Sequence, residues 1–158
     1  MDISKTCCFL GHRKIEYSPE LEKRIINIRE NPIVNEKIDR FLFGSKSEFN
    51  SLCYEVVTKL KEKHPYIKRV YIRGEYKFIN ERYKKYLLEY YDETYFPKKA
   101  IFAGKATYVE RNYEMIDKSG FTVFYYDKDY NPKNRKSGTK IAYKYAQKKG
   151  KIINAFED

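Results

Sequence analysis

Tryptophan is absent from this 158-residue chain, and cysteine occurs only at Cys7, Cys8 and Cys53. An odd number of cysteines without framework spacing argues against a disulfide scaffold. Cys7 and Cys8 are neighbours, so on a strand they point to opposite faces and cannot easily share a metal or a disulfide; both are expected as small core residues. No apolar run approaches the ~20 residues of a membrane span. The N-terminus also lacks the apolar stretch of a signal peptide. A cytoplasmic protein with no membrane partner is expected, and no metal site, cofactor or catalytic residue is assigned. Internal repeats and low-complexity tracts are missing as well.

What is abundant is tyrosine and lysine. Seventeen Tyr and ten Phe raise the aromatic share to 17%, and with 42% apolar residues this is a globular composition, not a disordered one. The length suits one domain spanning residues 1–158. The net charge of +11 invites a nucleic-acid reading. Its lysines are spread along the whole chain, however, which favours a solvated surface over one binding block.

Strand-like and helix-like segments alternate. Thr6 to Leu10, Arg40 to Phe43, Lys68 to Arg73, Phe121 to Tyr126 and Lys151 to Asn154 read as strands, with a short extended piece at Thr94 to Phe96. A helix is expected from the Ser18-Pro19-Glu20 start to about Asn31, before Pro32, with a further turn through Glu36. Ser45 and Glu48 have capping-box spacing ahead of the clearest apolar stripe: Phe49, Leu52, Cys53, Val56, Val57 and Leu60. Helices follow from about Asn80 to Tyr91, from the Thr107–Glu110 capping-box pair to near Gly120, and from about Gly138 to Lys149. This order implies βαβ units and an α/β fold: a mostly parallel sheet with helices on both faces.

In such a sheet, ligands meet the chain where strands end. Gly11-His12-Arg13 leaves the first strand, with Arg13 able to offer a fork of N–H donors to an anion. Gly44-Ser45-Lys46-Ser47 joins the second strand to the best helix, placing the Ser45 and Ser47 hydroxyls at a helix N-terminus. It lacks the spacing of a P-loop. Arg111, with Asn112 beside it, lies one turn before Met115 on the inward stripe; a buried guanidinium needs either an internal carboxylate or a ligand anion. Ser137-Gly138-Thr139 precedes the last helix in the same way. Asp127 and Asp129 precede it on a polar loop, where they either touch a ribose or meet solvent. Glu110 is assigned to capping and not to catalysis.

Thr6-Cys7-Cys8-Phe9-Leu10-Gly11-His12-Arg13, then Phe41-Leu42-Phe43-Gly44-Ser45, Tyr108 with Glu110-Arg111-Asn112 and Met115-Ile116-Asp117, and Ser137-Gly138-Thr139 with Ala142-Tyr143 and Tyr145-Ala146, resemble in order the SLOG superfamily, most closely its small YpsA-like bacterial proteins. The resemblance covers roughly Thr6 to Asn154. It implies a Rossmann-like three-layer fold that binds or senses a nucleotide or nucleotide-derived ligand, and self-association as a homodimer. Related branches include phosphoribohydrolases, whose Pro-Gly-Gly-x-Gly-Thr-x-x-Glu motif aligns its Gly-Thr with Gly138-Thr139 and its glutamate with Ala142. That replacement argues against catalysis, although Arg111 aligns with the helix arginine of that branch. The Gly-Gly-Ala-x-Gly-x-Asp turn frequent in YpsA-like proteins is replaced by Gly44-Ser45-Lys46-Ser47-Glu48. The expected site is therefore Gly11, His12, Arg13, Gly44, Ser45, Ser47, Arg111, Asn112, Ser137, Gly138 and Thr139. Binding is the leading expectation; nucleotide N-glycosidase activity and single-stranded nucleic-acid binding through tyrosines such as Tyr83, Tyr86, Tyr90 and Tyr91 are the alternatives.

Overall fold

A computed structural model describes residues 2–44, 46–130, 138–150 and 152–156. Its elements run β1 (Thr6–Gly11), α1 (Pro19–Asn35), β2 (Arg40–Phe43), α2 (Glu48–Lys63), β3 (Lys68–Ile72), α3 (Glu81–Tyr90), β4 (Glu93–Tyr95), α4 (Thr107–Asp117), β5 (Phe121–Tyr125), α5 (Gly138–Lys149) and β6 (Ile152–Asn154). The strands form one six-stranded sheet in the order β4-β3-β2-β1-β5-β6, and every pairing is parallel. This is a Rossmann-like α/β fold.

The apolar runs explain the sheet. Burial on both faces lets β1 carry the uninterrupted run Thr6-Cys7-Cys8-Phe9-Leu10, and alternate residues divide between two cores. Cys7, Phe9, Phe41, Phe43 and Val123 face α1 and α2. Cys8, Leu10, Leu42, Val70, Ile72 and Phe124 face Met115 and Ile116 of α4 and Ala142 and Ala146 of α5. Cys7 and Cys8 thus point to opposite faces, both fully buried. Phe9 sits between Phe41 and Phe43, its ring centroid 6.0 and 5.3 Å from theirs. At the other end of the strands Arg40 pairs with Glu93 at 2.7 Å, tying β2 to the edge strand β4.

Several helix boundaries differ from expectation. The α1 start follows it, since Ser18 Oγ accepts from the Leu21 N–H at 3.0 Å, but the helix continues through Pro32 to Asn35. A proline in a helix removes one backbone donor, and the helix extends past it. Ser47, not Ser45, caps α2, its hydroxyl accepting from the Asn50 N–H. Ser45 lies outside the described residues. No side chain caps α4: Thr107 donates its hydroxyl to the Gly104 carbonyl of a preceding 3₁₀ turn, so the Thr107–Glu110 capping box does not form.

Because the strands are parallel, β1, β2, β3 and β5 all end along one rim, and the chain reverses direction across the sheet between β1 and β5. Among the described residues, no helix is long and apolar enough to cross a membrane. Phe9→Ala removes a fully buried ring from the α1/α2 core and is expected to lower unfolding free energy by about 3–5 kcal/mol, read by urea denaturation; a loss under about 1 kcal/mol would contradict this packing.

Candidate functional site

Three strand ends and one helix converge on a cavity of ≈ 260 Å³. Gly11 and Arg13 come from the end of β1, Gly44, Lys46 and Ser47 from the β2–α2 turn, and Glu75 from the turn after β3; Tyr108 and Arg111 of α4 close it from the other side. Three cations therefore face one carboxylate.

Arg111 is the centre of this arrangement. It is only 5% exposed, on the α4 face that also carries Met115. Its side chain lies across the turns that follow β2 and β3, and glycine is what makes room. A Cβ at Gly44 would stand 2.6 Å from Met115 Sδ and 2.8 Å from Arg111 Cδ. One at Gly74 would stand 3.1 Å from Arg111 Nη1 and 3.2 Å from Tyr108 Cδ1. These glycines admit the protein's own arginine.

The guanidinium has little internal compensation. Nε donates to Asn112 Oδ1 at 2.9 Å, and Cζ lies 5.5 Å from the Tyr108 ring centroid. It makes no ion pair and no other hydrogen bond among the described residues. Burial pushes its pKa below the ordinary arginine value, yet a guanidinium remains a cation at neutral pH. Glu75 is instead engaged with Lys46, Nζ to Oε2 at 3.5 Å. Arg13 is exposed and forms no ion pair among the described residues.

The surrounding backbone is held firmly. Asn50 donates its side-chain N–H to the Phe9 carbonyl at 3.2 Å and accepts the Gly44 N–H at 3.2 Å, linking the ends of β1 and β2. The Glu48 N–H donates to the Arg13 carbonyl at 2.8 Å. The Glu48 carboxylate accepts from the Ile15 N–H at 2.9 Å. Two of the first N–H groups of α2 are therefore already satisfied, one by Arg13 and one by Ser47. Positive character at this rim comes from side chains more than from a free helix end.

Of the expected residues, Gly11, Arg13, Gly44, Ser47 and Arg111 line the cavity, and Asn112 orients the arginine. The room beside Gly11 is taken by the Phe49 ring, which a Cβ there would meet at 2.5 Å. Gly138 and Thr139 begin α5 and do not line this cavity. Ser45 and Ser137 lie outside the described residues. Sequence reading missed Lys46, Asn50, Glu75 and Tyr108. The Arg73-Gly74-Glu75 stretch carried the same signal as Gly11 and Gly44, a glycine just past a strand end.

His12 faces a different cavity of ≈ 260 Å³ with Tyr125, Asp127 and Tyr130. The ring is 2% exposed, stacks on Tyr130 at 4.1 Å and has Nε2 2.9 Å from the Asp127 N–H. Asp129 is exposed, and its N–H donates to the Asp127 carboxylate.

No protein-family model matches this chain, and no curated protein matches it in sequence.

Burial lowers the His12 pKa, partly opposed by Asp127. As pH falls below about 6.5, the unfolded chain takes up the imidazole proton before the folded chain does, so stability falls in that range. His12→Gln should flatten this fall when urea unfolding is compared between about pH 7.5 and about pH 5. An unchanged slope would remove His12 as its source.

Proposed function

We propose that the chain binds a nucleotide or nucleotide-derived ligand at the strand-end rim, with Arg111 taking the phosphate. The observation that carries this reading is a guanidinium lining an open cavity, buried to 5% exposure with no carboxylate in ion-pair contact among the described residues and Glu75 acting on it only at longer range. An uncompensated buried charge is costly, and an anion placed against it recovers that cost through charge-assisted hydrogen bonds. Arg13 and Lys46 add charge at the mouth, and Ser47 adds a hydroxyl. The position at the carboxyl ends of parallel strands is where nucleotides bind in open α/β sheets. The resemblance to SLOG and YpsA-like proteins points to the same class of ligand, and we place the chain there on that motif order.

Titration calorimetry with ribose 5-phosphate and a panel of nucleoside monophosphates tests this. Binding is expected in the wild type, and Arg111→Ala should weaken it about 10- to 100-fold through loss of the charged hydrogen bonds. Absence of binding across the panel, or full retention in Arg111→Ala, would defeat the reading.

A second reading, cleavage of the N-glycosidic bond, has one observation in its favour: Glu75 is a carboxylate at the cavity. Glu48 is committed to the Ile15 N–H, and Ala142 lies in the α4/α5 core. Hydrolysis would require free base to accumulate from a nucleoside monophosphate, followed by chromatography, and to vanish with Glu75→Gln. If the wild type releases no base, binding alone stands.

A further inference from the structure

Beside the cationic cavity lies a second one of ≈ 360 Å³ whose walls are tyrosines, and Lys46 lines both. Tyr71 of β3 and Tyr91 form the inner wall, stacked with centroids 5.0 Å apart and planes inclined by 26°. Tyr83 and Tyr86, one turn apart on α3, form the outer wall with their rings within 13° of parallel. Flat apolar surfaces thus line a space that shares Lys46 with the cavity of Arg111.

Unspent donors lie in and near the cleft. Tyr71 is 5% exposed, yet its hydroxyl has no hydrogen-bond partner among the described residues. Burial holds its pKa up at about 12, so the hydroxyl keeps its proton and can donate. Arg73, two residues along, has Nε and Nη1 buried without a partner, and its guanidinium is within electrostatic range of both Tyr71 and Tyr83. Buried polar groups such as these Arg73 nitrogens are normally hydrogen-bonded. An alkyl chain would cover the rings and leave these donors unpaired. A planar heterocycle covers the rings and brings acceptors on its edge to the Tyr71 hydroxyl, with the Arg73 guanidinium close by.

We infer that the tyrosine cleft seats the base of the ligand whose phosphate lies against Arg111, so that the chain recognises an intact nucleotide with Lys46 at the junction of its two halves. This inference rests on the phosphate reading of the cationic cavity. The base stacks on the rings, and the Tyr71 hydroxyl faces its edge.

The test compares ribose 5-phosphate with adenosine and uridine monophosphates by calorimetry on the full chain. The wild type and the variants Arg111→Ala and Tyr83→Ala/Tyr86→Ala are used. Both substituted tyrosines are on the outer wall, and circular dichroism with urea unfolding checks that the variants are folded. At least one nucleotide should bind the wild type about tenfold or more tighter than ribose 5-phosphate, the amount that base stacking supplies. The double tyrosine variant should erase that advantage while leaving ribose 5-phosphate affinity unchanged, whereas Arg111→Ala should weaken all ligands. If ribose 5-phosphate binds through Arg111 but no nucleotide binds tighter, the base seat is wrong and the phosphate site stands. If nothing binds, both fall. A nucleotide advantage that survives loss of Tyr83 and Tyr86 overturns the base seat. So does a double variant whose sole effect, by sedimentation, is to split a dimer of this chain.

Discussion

A guanidinium taken out of water with no ion pair among the described residues, only the longer-range field of Glu75, is the constraint around which the strand-end rim is arranged. Arg111 is carried inward by the same helical face that buries Met115. Its length brings it over two adjacent strand ends, and both of those ends are glycine. The single acceptor it has among the described residues, Asn112 Oδ1, is neutral and addresses Nε alone. Desolvation is therefore largely uncompensated, and the stability of the fold elsewhere must carry that cost. A cation kept in this condition is preorganised for an anion, because it has no ion pair among the described residues to give up when one arrives.

The scaffold that tolerates this strain is a doubly covered parallel sheet. Phe9, Phe41 and Phe43 fill one core, while Leu42, Val70, Ile72 and Phe124 fill the other. The backbone at the rim is fixed by side chains that do not themselves line the cavity. Asn50 bridges the ends of β1 and β2, and Glu48 clasps the loop after β1 through both its N–H and its carboxylate. These bonds use up much of the helix terminus that would otherwise attract an anion. The electrostatics of the rim consequently depend on Arg13, Lys46 and Arg111, with Glu75 opposing them.

The high tyrosine content has a structural rationale along the same rim. Tyr71 and Tyr91 are stacked beside β3, and α3, whose single buried residue is Leu87, presents Tyr83, Tyr86 and Tyr90 to the cleft. Tyrosine suits a wall that is apolar across its face and polar at its tip. Tyr125 does similar work on the other side of β1, where its hydroxyl accepts the Glu16 N–H and its ring lies against His12.

Much of this was legible in the residues alone. The stripe Phe49, Leu52, Cys53, Val56, Val57 and Leu60 is buried at every position, and the segments around β2 and α5 fall at the expected bounds, because side-chain periodicity is a local property. The alternation of strands and helices likewise implied the parallel sheet. Local signals failed where neighbours compete: Ser47 prevails over Ser45 because it immediately precedes a helix whose first N–H is bound to Arg13, and Thr107 turns back to Gly104 because a 3₁₀ turn already occupies the space before α4. Chain order determined which residue types would stand at strand ends. Only tertiary structure decided which of them meet: it sends His12 and Arg13 into different cavities and sets Glu75 and Tyr108 around Arg111. Those meetings depend on strand register and helix docking, which join residues distant in the chain through packing that no local pattern encodes.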